Sequence, residues 1–436
     1  MAYKEQGTSL VKVQKFGPSL ERDVVAALGW KSDRLVYFED PNNDITYDLQ
    51  VDGYLGEKNN PLAFVSVTYC NPDKPGHSNE NKLQLKLGEL MLLKSKYPNV
   101  RSMLVIGGTE NAWLRYVLQA FKFFFDKTLF TWNENFSEEI LKIKSDYRHI
   151  PTQHSEVWNS ISKDWATTKL WDQEPIRSEL RLGIWHEVQE QGVFENPEEI
   201  PNSIFRLCMK TAYETSVHTR NRNGKEWSNY LHEDWDALWQ SRSFFNPAEA
   251  AIYLTLKNAG FAFAGGLAKD EEVPSLIHHL GGNDVDNTKV SEDFILYSKK
   301  YSCPVFIQSK STGGGMEGHG KNIQNRTKEQ IARSLFYRGY IEKNEVKLRK
   351  KDFIWIGVID GNWGVTKKTP LKYIHMLQWA GYDYLIGADS LANEHFDLIQ
   401  NAKNPLTDVI NDLECEKSID AFNTLWIEWK SSRLLK

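Results

Sequence analysis

The sequence predicts an α/β protein with two cores built on mixed sheets, one towards each end of the chain, and a mainly helical region between them. In residues 1–135, and again in 241–436, short apolar runs typical of strands alternate with segments of helical periodicity. Residues 136–240 have mostly helical patterns and hold seven of the fifteen tryptophans. Aromatic residues at helical spacing are more typical of a core than of a ligand platform, so three regions with these boundaries are expected.

The first region is predicted to open with a helix over residues 19–29, because Ser19 is a suitable N-cap. Two extended segments, 47–55 and 62–69, follow this helix. A helix, a strand, a second helix and a second strand are then predicted at 79–96, 103–106, 111–126 and 128–132.

The third region is predicted to open with a helix after Asn246-Pro247, since Asn caps helices and Pro suits the first helical position. Segments 293–298 and 304–310 have the composition of two strands joined by a short turn. A helix, a strand, a second helix and a second strand are then predicted at 327–340, 353–359, 371–380 and 384–387.

The first and third regions share one order of elements, which predicts an internal duplication. Matched positions in the two regions are Glu21 and Glu249, Asp52 and Asp293, Ser66 and Gln308, and Thr68 and Lys310. The spacing from Asp52 to Ser66 in the first region is 14 residues, and the matching spacing from Asp293 to Gln308 in the third region is 15. A Gly-His pair ends nine residues after the last matched position in both regions.

The composition argues against a membrane or secreted protein. No apolar run approaches the roughly 20 residues that a membrane-spanning helix needs. The first residues lack the basic and then apolar pattern of a secretion signal. The four cysteines are far apart and form no CxxC pair, which indicates neither a zinc site nor a disulfide framework. A cytoplasmic location without a membrane partner is therefore expected.

A basic segment is hidden within a net charge of −5. Residues 299–351 contain thirteen Lys or Arg, four Glu and no Asp, a local balance of +9. Charge of one sign along a stretch is how an otherwise acidic protein can form a phosphate-binding face. The alternative is a solvated helix face followed by a basic loop.

The candidate site is a strand pair with Asp293 at the head of the first strand and Gln308-Ser309-Lys310 at the end of the second. Residues 308 and 310 face the same side of a strand, so both can approach Asp293. Carboxylate and amide oxygens suit a hard divalent cation, which neutralises a phosphate oxygen and activates water. Lys310 would orient or deprotonate that water, and the backbone carbonyl of Ser309 is a further expected ligand.

This arrangement resembles the PD-(D/E)XK nuclease superfamily, which includes most type II restriction endonucleases. The resemblance covers about 190 residues of the third region and departs from the family at two positions. Glu292 replaces the family's proline, and Gln308 replaces its second acidic residue, as in Mrr-type nucleases. Glu249 matches the acidic residue that many members carry on their first core helix.

The resemblance implies restriction-endonuclease-like cores, Mg²⁺ (with Mn²⁺ as an alternative) and cleavage of double-stranded DNA. It also implies a restriction–modification system, in which a methyltransferase acts on the same DNA, and a homodimer as a candidate assembly. The first copy is expected to be degenerate, because the hydroxyls of Ser66 and Thr68 replace neither a carboxylate ligand nor an ammonium group. Architecture, DNA contact or dimerisation would then be its role.

Five basic residues are candidates for DNA contact, three in the polar stretch 215–225 and two after Lys310. They are Arg220, Arg222, Lys225, Lys321 and Arg326. Besides a restriction endonuclease, two further hypotheses stay open. One is a defence or repair nuclease of the same fold with a regulated activity, and the other is a non-catalytic nucleic-acid-binding protein.

Overall fold

A computed structural model shows how the chain folds. The described residues are 10–40, 45–70, 77–112, 118, 123–153, 156–161, 252, 255–256, 259–261, 271–276, 290–311, 323–343, 345–360, 376–377, 380–387 and 405–434. Within them helices and mixed sheets alternate, which confirms the predicted α/β class. None of the helices in these ranges is both long enough and apolar enough to span a membrane.

The N-terminal half of the described chain contains three helices and six strands with defined bounds. They are helix α1 (Leu10–Leu28), strands β1 (Arg34–Asp40), β2 (Ile45–Gln50), β3 (Gly53–Glu57) and β4 (Asn60–Tyr69), helix α2 (His77–Lys96), strands β5 (Arg101–Gly107) and β6 (Lys127–Phe130), and helix α3 (Phe136–Ser145). Short 3-10 helices cover Glu110–Ala112 and Tyr147–His149.

The C-terminal half adds eight strands and three helices with defined bounds. They are strands β7 (Glu271–Glu272), β8 (Ser291–Glu292), β9 (Phe294–Ser298) and β10 (Cys303–Ser311), helix α4 (Ile323–Arg338), strands β11 (Gly339–Glu342), β12 (Glu345–Leu348), β13 (Ile354–Asp360) and β14 (Tyr384–Gly387), and helices α5 (Pro405–Asp412) and α6 (Ile419–Leu434).

The described residues fall into two compact units. The first contains the residues up to 161, together with 275–276 and those of 328–350, and the second contains the rest. Helix α3 belongs to the first unit, where Ile140 and Ile143 share a core with Leu20 and Val24 of α1. This core therefore extends past residue 135, where the sequence predicts the end of the first region.

The first unit is built on a four-stranded sheet with the order β3-β4-β5-β6. Strands β3 and β4 are antiparallel, whereas β4, β5 and β6 are parallel. Strand β4 is buried along nearly its whole length, as expected for a central strand covered on both faces. Because parallel neighbours need a crossover connection, α2 follows β4 and returns the chain to the start of β5.

The second unit contains a sheet of the same design, with the order β9-β10-β13-β14. Strands β9 and β10 are antiparallel, and β10, β13 and β14 are parallel. Helix α6 packs on β9 and β10, where Trp426 and Trp429 lie with their ring centroids 6.3 and 5.8 Å from that of Phe306. Burial of these large rings closes one face of the sheet.

The two sheets also have the same registers. One row across the first sheet is formed by Gly53, Val65, Met103 and Lys127, and the matching row of the second by Phe294, Ile307, Ile356 and Tyr384. In each sheet one aspartate, Asp52 or Asp293, directly precedes the first residue of that row. The repeated order of elements in the sequence thus corresponds to a repeated pairing of strands.

A second pair of aspartates occupies equivalent positions in front of the last strands. Asp126 precedes β6, and its Oδ2 accepts the backbone N–H of Ser102 at 2.7 Å. Asp383 precedes β14, and its Oδ2 accepts the backbone N–H of Trp355, also at 2.7 Å. Ser102 and Trp355 are the second residues of β5 and β13, so the same hydrogen bond recurs at the same place.

Several local predictions need correction. Ser19 is not an N-cap, because α1 begins at Leu10 and continues through Gly17-Pro18. The extended segment 47–55 is divided by a bend at Asp52, and its first half pairs with β1, a strand that is not predicted. The β11–β12 hairpin lies between the predicted helix and strand of the third region.

Candidate active site

Asp293 lies in a bend between β8 and β9, next to the strand that carries the other candidate residues. The carboxylate of this half-buried residue accepts the backbone N–H of Ser309 at 2.5 Å through Oδ2. Strands β9 and β10 pair up to Phe294 and Ile307, so the hairpin register brings residues 293 and 308–310 together. The preceding residue, Glu292, is fully buried.

Gln308 points into the second unit rather than towards solvent. It is 2% exposed, and its Oε1 accepts a hydrogen bond from the Tyr382 hydroxyl at 3.3 Å. The Tyr382 ring stacks on Trp355 with centroids 4.0 Å apart. Gly357, opposite Gln308 in the register, makes room for this ring, since a Cβ there would come within 3.0 Å of both Leu385 and Tyr382.

The remaining predicted site residues are described in part or not at all. The backbone of Lys310 lies in β10 opposite Ile359, whereas its side chain is outside the described residues. Arg326 is a half-buried residue of α4. Five further candidates lie outside the described residues, namely Glu249, Arg220, Arg222, Lys225 and Lys321.

The described groups at this end of the hairpin that are proposed to bind a metal ion are the carboxylate of Asp293 and the amide oxygen of Gln308. Across the described ranges, no group of three or more His, Cys, Asp or Glu is arranged to hold a metal ion. An amide oxygen has two lone pairs, and the bond from Tyr382 is longer than the usual 2.5–3.0 Å of an O–H···O contact. Gln308 therefore keeps capacity for a second partner, and a complete cation site here needs a further ligand such as Glu249.

Comparisons with known proteins add no relative. No protein-family model, no curated protein and no solved structure matches the chain. The case for a function therefore rests on the residues of this chain and on the comparison between its two sheets.

The equivalent position in the first sheet has a different environment. Asp52 accepts the backbone N–H of Val67 at 2.5 Å through Oδ2, the counterpart of the bond between Asp293 and Ser309. The same Oδ2 is 2.9 Å from the ammonium nitrogen of Lys86, a residue of α2. Lys86 is not among the predicted site residues, although its position on the helix that follows β4 is a signal that it could reach the strand ends.

Lys86 belongs to a chain of ion pairs within the first unit. Its Nζ is 3.1 Å from Oε2 of Glu89, whose Oε1 is 2.8 Å from Nζ of Lys328 on α4. Helices α2 and α4 can approach this closely because Gly88 has no side chain, and a Cβ there would meet the Lys328 carbonyl oxygen at 2.3 Å.

The charges in this chain stabilise one another. Burial by itself disfavours the charged form of Lys86, but the carboxylates of Asp52 and Glu89 outweigh it, and the pKa of Lys86 is raised. Burial likewise opposes ionisation of Glu89, and Lys328 and Lys86 outweigh it, so the pKa of Glu89 is lowered. The pKa of Glu21 on α1 is raised, first by burial and next by the charge of Asp52.

Proposed function

We propose that this protein is a metal-dependent DNA endonuclease, most simply a type II restriction endonuclease, with its active site at the end of the β9–β10 hairpin. The observation that carries the proposal is the position of Asp293, whose carboxylate binds the amide of Ser309 between Gln308 and Lys310. An acidic group, an amide and a lysine thus share the ends of two paired strands. Phosphodiester hydrolysis requires a cation ligand, a water-activating group and stabilisation of negative charge in one place.

Each residue has a distinct proposed role. Asp293, the amide oxygen of Gln308 and the backbone carbonyl of Ser309 would hold Mg²⁺ or Mn²⁺, with Glu249 as an additional carboxylate. The cation would polarise the scissile phosphate and lower the pKa of a bound water. Lys310 would orient this water or accept its proton, and would stabilise the negative charge that develops on the phosphate.

The setting of this activity is also part of the proposal. Lys321 and Arg326, which lie in the basic segment 299–351, would contact the phosphate backbone of double-stranded DNA. In a restriction–modification system a methyltransferase would protect the same DNA sequence. A homodimer would place two such sites on the two strands of a duplex.

One observation favours a second candidate, a nucleic-acid-binding protein without catalysis. Gln308 is buried and already bonded to Tyr382, so it offers a neutral and only partly available ligand. Binding of DNA without cleavage, in the presence of Mg²⁺ or Mn²⁺, would identify this second function.

The test is digestion of unmethylated phage DNA and supercoiled plasmid with Mg²⁺, followed by gel electrophoresis. Discrete bands are expected from the wild type, whereas Lys310→Met should lose cleavage and keep DNA binding, because binding is spread over many phosphate contacts. Lys300→Met is the matched control, since Lys300 lies in the turn at the other end of the same hairpin and pairs with Asp412. Cleavage by Lys310→Met at the wild-type rate would remove Lys310 from the mechanism.

A further inference from the structure

Asp52 and Asp293 occupy the same place in two sheets with the same registers, and at Asp52 the ammonium group of a lysine lies beside the carboxylate. The ammonium nitrogen of Lys86 is 2.9 Å from Oδ2 of Asp52, the oxygen that also accepts the Val67 amide. Its distance to the nearer oxygen of Glu89 is 3.1 Å. These are the separations of direct, charge-assisted hydrogen bonds, so the ammonium is held between two carboxylates.

The charges around Lys86 leave at most one carboxylate without an ammonium group to balance it. Glu21, Asp52 and Glu89 provide three carboxylates, and Lys86 and Lys328 provide two ammonium groups. The side chains of Lys86 and Asp52 are only 16% and 13% exposed, so solvent screens their charges weakly. A divalent ion bound at Asp52 would meet the positive charge of Lys86 at a distance where the repulsion is strong.

We propose that the Lys86 ammonium is a resident cation, which takes at Asp52 the place that the divalent ion takes at Asp293, and that it keeps the first sheet free of metal. The comparison with Asp293 rests on the proposed function, whereas the prediction for Asp52 concerns cation binding in the first sheet alone. Removal of the Lys86 charge leaves the carboxylates of Asp52, Glu89 and Glu21 opposed, among the described groups, by Lys328 and Arg22. Divalent cations should then bind there, because a partly buried excess of carboxylates favours a hard cation.

The experiment is a calorimetric titration of the full chain with Mn²⁺. All proteins carry Asp293→Asn, so that the proposed active site contributes no heat. Addition of Lys86→Met should create binding of one Mn²⁺ per chain, at least tenfold tighter than any binding by the Asp293→Asn parent. Further addition of Asp52→Asn should abolish the gain.

Lys82→Met is the matched control for the loss of a lysine from α2. Lys82 lies one turn before Lys86, and its ammonium donates to the carbonyl oxygen of Tyr69 at 2.9 Å rather than to a carboxylate. This variant should therefore gain no Mn²⁺ site. A gain equal to that of Lys86→Met would overturn the proposal, since the effect would not depend on the ion pair with Asp52.

The proposal is wrong if folded Lys86→Met binds no additional Mn²⁺. Should circular dichroism show that Lys86→Met is unfolded, Lys86→Gln, which keeps a hydrogen-bond donor, takes its place. Asp52→Asn with Lys86 intact is an independent test. The proposal requires that this variant bind Mn²⁺ as its parent does, and a loss of Mn²⁺ binding would overturn the proposal. Equal Mn²⁺ binding by the wild type and Asp293→Asn would instead contradict the proposed function. The prediction that Lys86 prevents Mn²⁺ binding at Asp52 would still stand.

Discussion

The sheet that contains Asp52 and the sheet that contains Asp293 have the same strand order and registers but differ in the groups around each aspartate. Both carboxylates accept a backbone N–H at 2.5 Å from the neighbouring strand. At Asp52 the charge is balanced by Lys86, whereas the strand beside Asp293 presents Gln308 and Lys310. The backbone thus fixes where an acidic group stands in each sheet, whereas the side chains on the neighbouring strand and helix differ between the two sheets.

The largest effect is expected from removing each of the two aspartate charges in a separate variant and comparing the cleavage rates. Asp293→Asn should lower Mg²⁺-dependent DNA cleavage by about a thousandfold or more, because a metal ligand contributes several kcal/mol to transition-state stabilisation. Asp52→Asn should change the cleavage rate little, since its partner is Lys86. Initial rates of plasmid cleavage measure both. Loss of cleavage in a folded Asp52→Asn variant would show that the first sheet is catalytic.

The next largest effect concerns the lysines that face the second pair of aspartates. Lys94 and Asp126 are both fully buried, with Nζ and Oδ2 3.0 Å apart. Lys94→Met should lower the free energy of unfolding by about 3–5 kcal/mol, because it leaves the buried carboxylate of Asp126 without its cationic partner. Lys351→Met should cost no more than about 1 kcal/mol, since Lys351 and Asp383 form a partly exposed pair.

Urea unfolding followed by circular dichroism measures these two variants. The difference in burial predicts a larger loss of unfolding free energy in Lys94→Met than in Lys351→Met. Equal losses would contradict this prediction. Both carboxylates accept the same backbone N–H, from Ser102 and from Trp355, and Asp126 also accepts the Ser102 hydroxyl and the backbone N–H of Gln153. Neither lysine substitution removes these donors.

A smaller effect is expected at Gly357, which occupies the position of Leu104 in the first sheet. Gly357→Ala should lower the free energy of unfolding by about 1–3 kcal/mol, because the added methyl group displaces the ring of Tyr382. Tyr382→Phe, which keeps the ring and loses the hydrogen bond to Gln308, should cost about 1 kcal/mol. A larger loss in Tyr382→Phe than in Gly357→Ala would show that the hydrogen bond, rather than the packing, holds Gln308.

The smallest effect is a dependence of stability on pH through Glu21. Its pKa is raised above the ordinary value of 4.5, first by burial and then by Asp52. A carboxyl with a raised pKa in the folded state contributes stability below its unfolded pKa, and this contribution is lost as the pH rises through the folded pKa. Glu21→Gln, which cannot ionise, should therefore gain stability relative to wild type as the pH rises above the ordinary carboxyl pKa of about 4.5. A difference that is independent of pH across urea titrations would contradict this assignment.

Local sequence patterns predicted the parallel strands of the second sheet well. Strand β14 has the predicted bounds, and β10 and β13 differ from theirs by one residue at each end. These strands are continuous apolar runs, in which the signal for burial is strong. The predicted hairpin likewise brought Asp293 beside the strand that carries Gln308, because pairing of adjacent strands depends mainly on a short turn.

Weaker patterns gave wrong or missing elements. Strand β1 mixes charged and apolar residues, and the β11–β12 hairpin does the same, so neither was predicted. Helix α1 passes through Gly17-Pro18, a pair that is typical of boundaries, because local propensity is only a weak guide when tertiary contacts hold an element.

The amino-acid sequence was sufficient to define the type and order of the main elements, their repetition and the candidate strand ends, because periodicity reports the burial of neighbouring positions. The tertiary structure decided which cation neutralises Asp52 and which group donates a hydrogen bond to the side-chain oxygen of Gln308. Lys86 is 34 residues from Asp52, and Tyr382 is 74 residues from Gln308. Such contacts depend on how helices and strands pack in three dimensions, and no spacing along the chain specifies them.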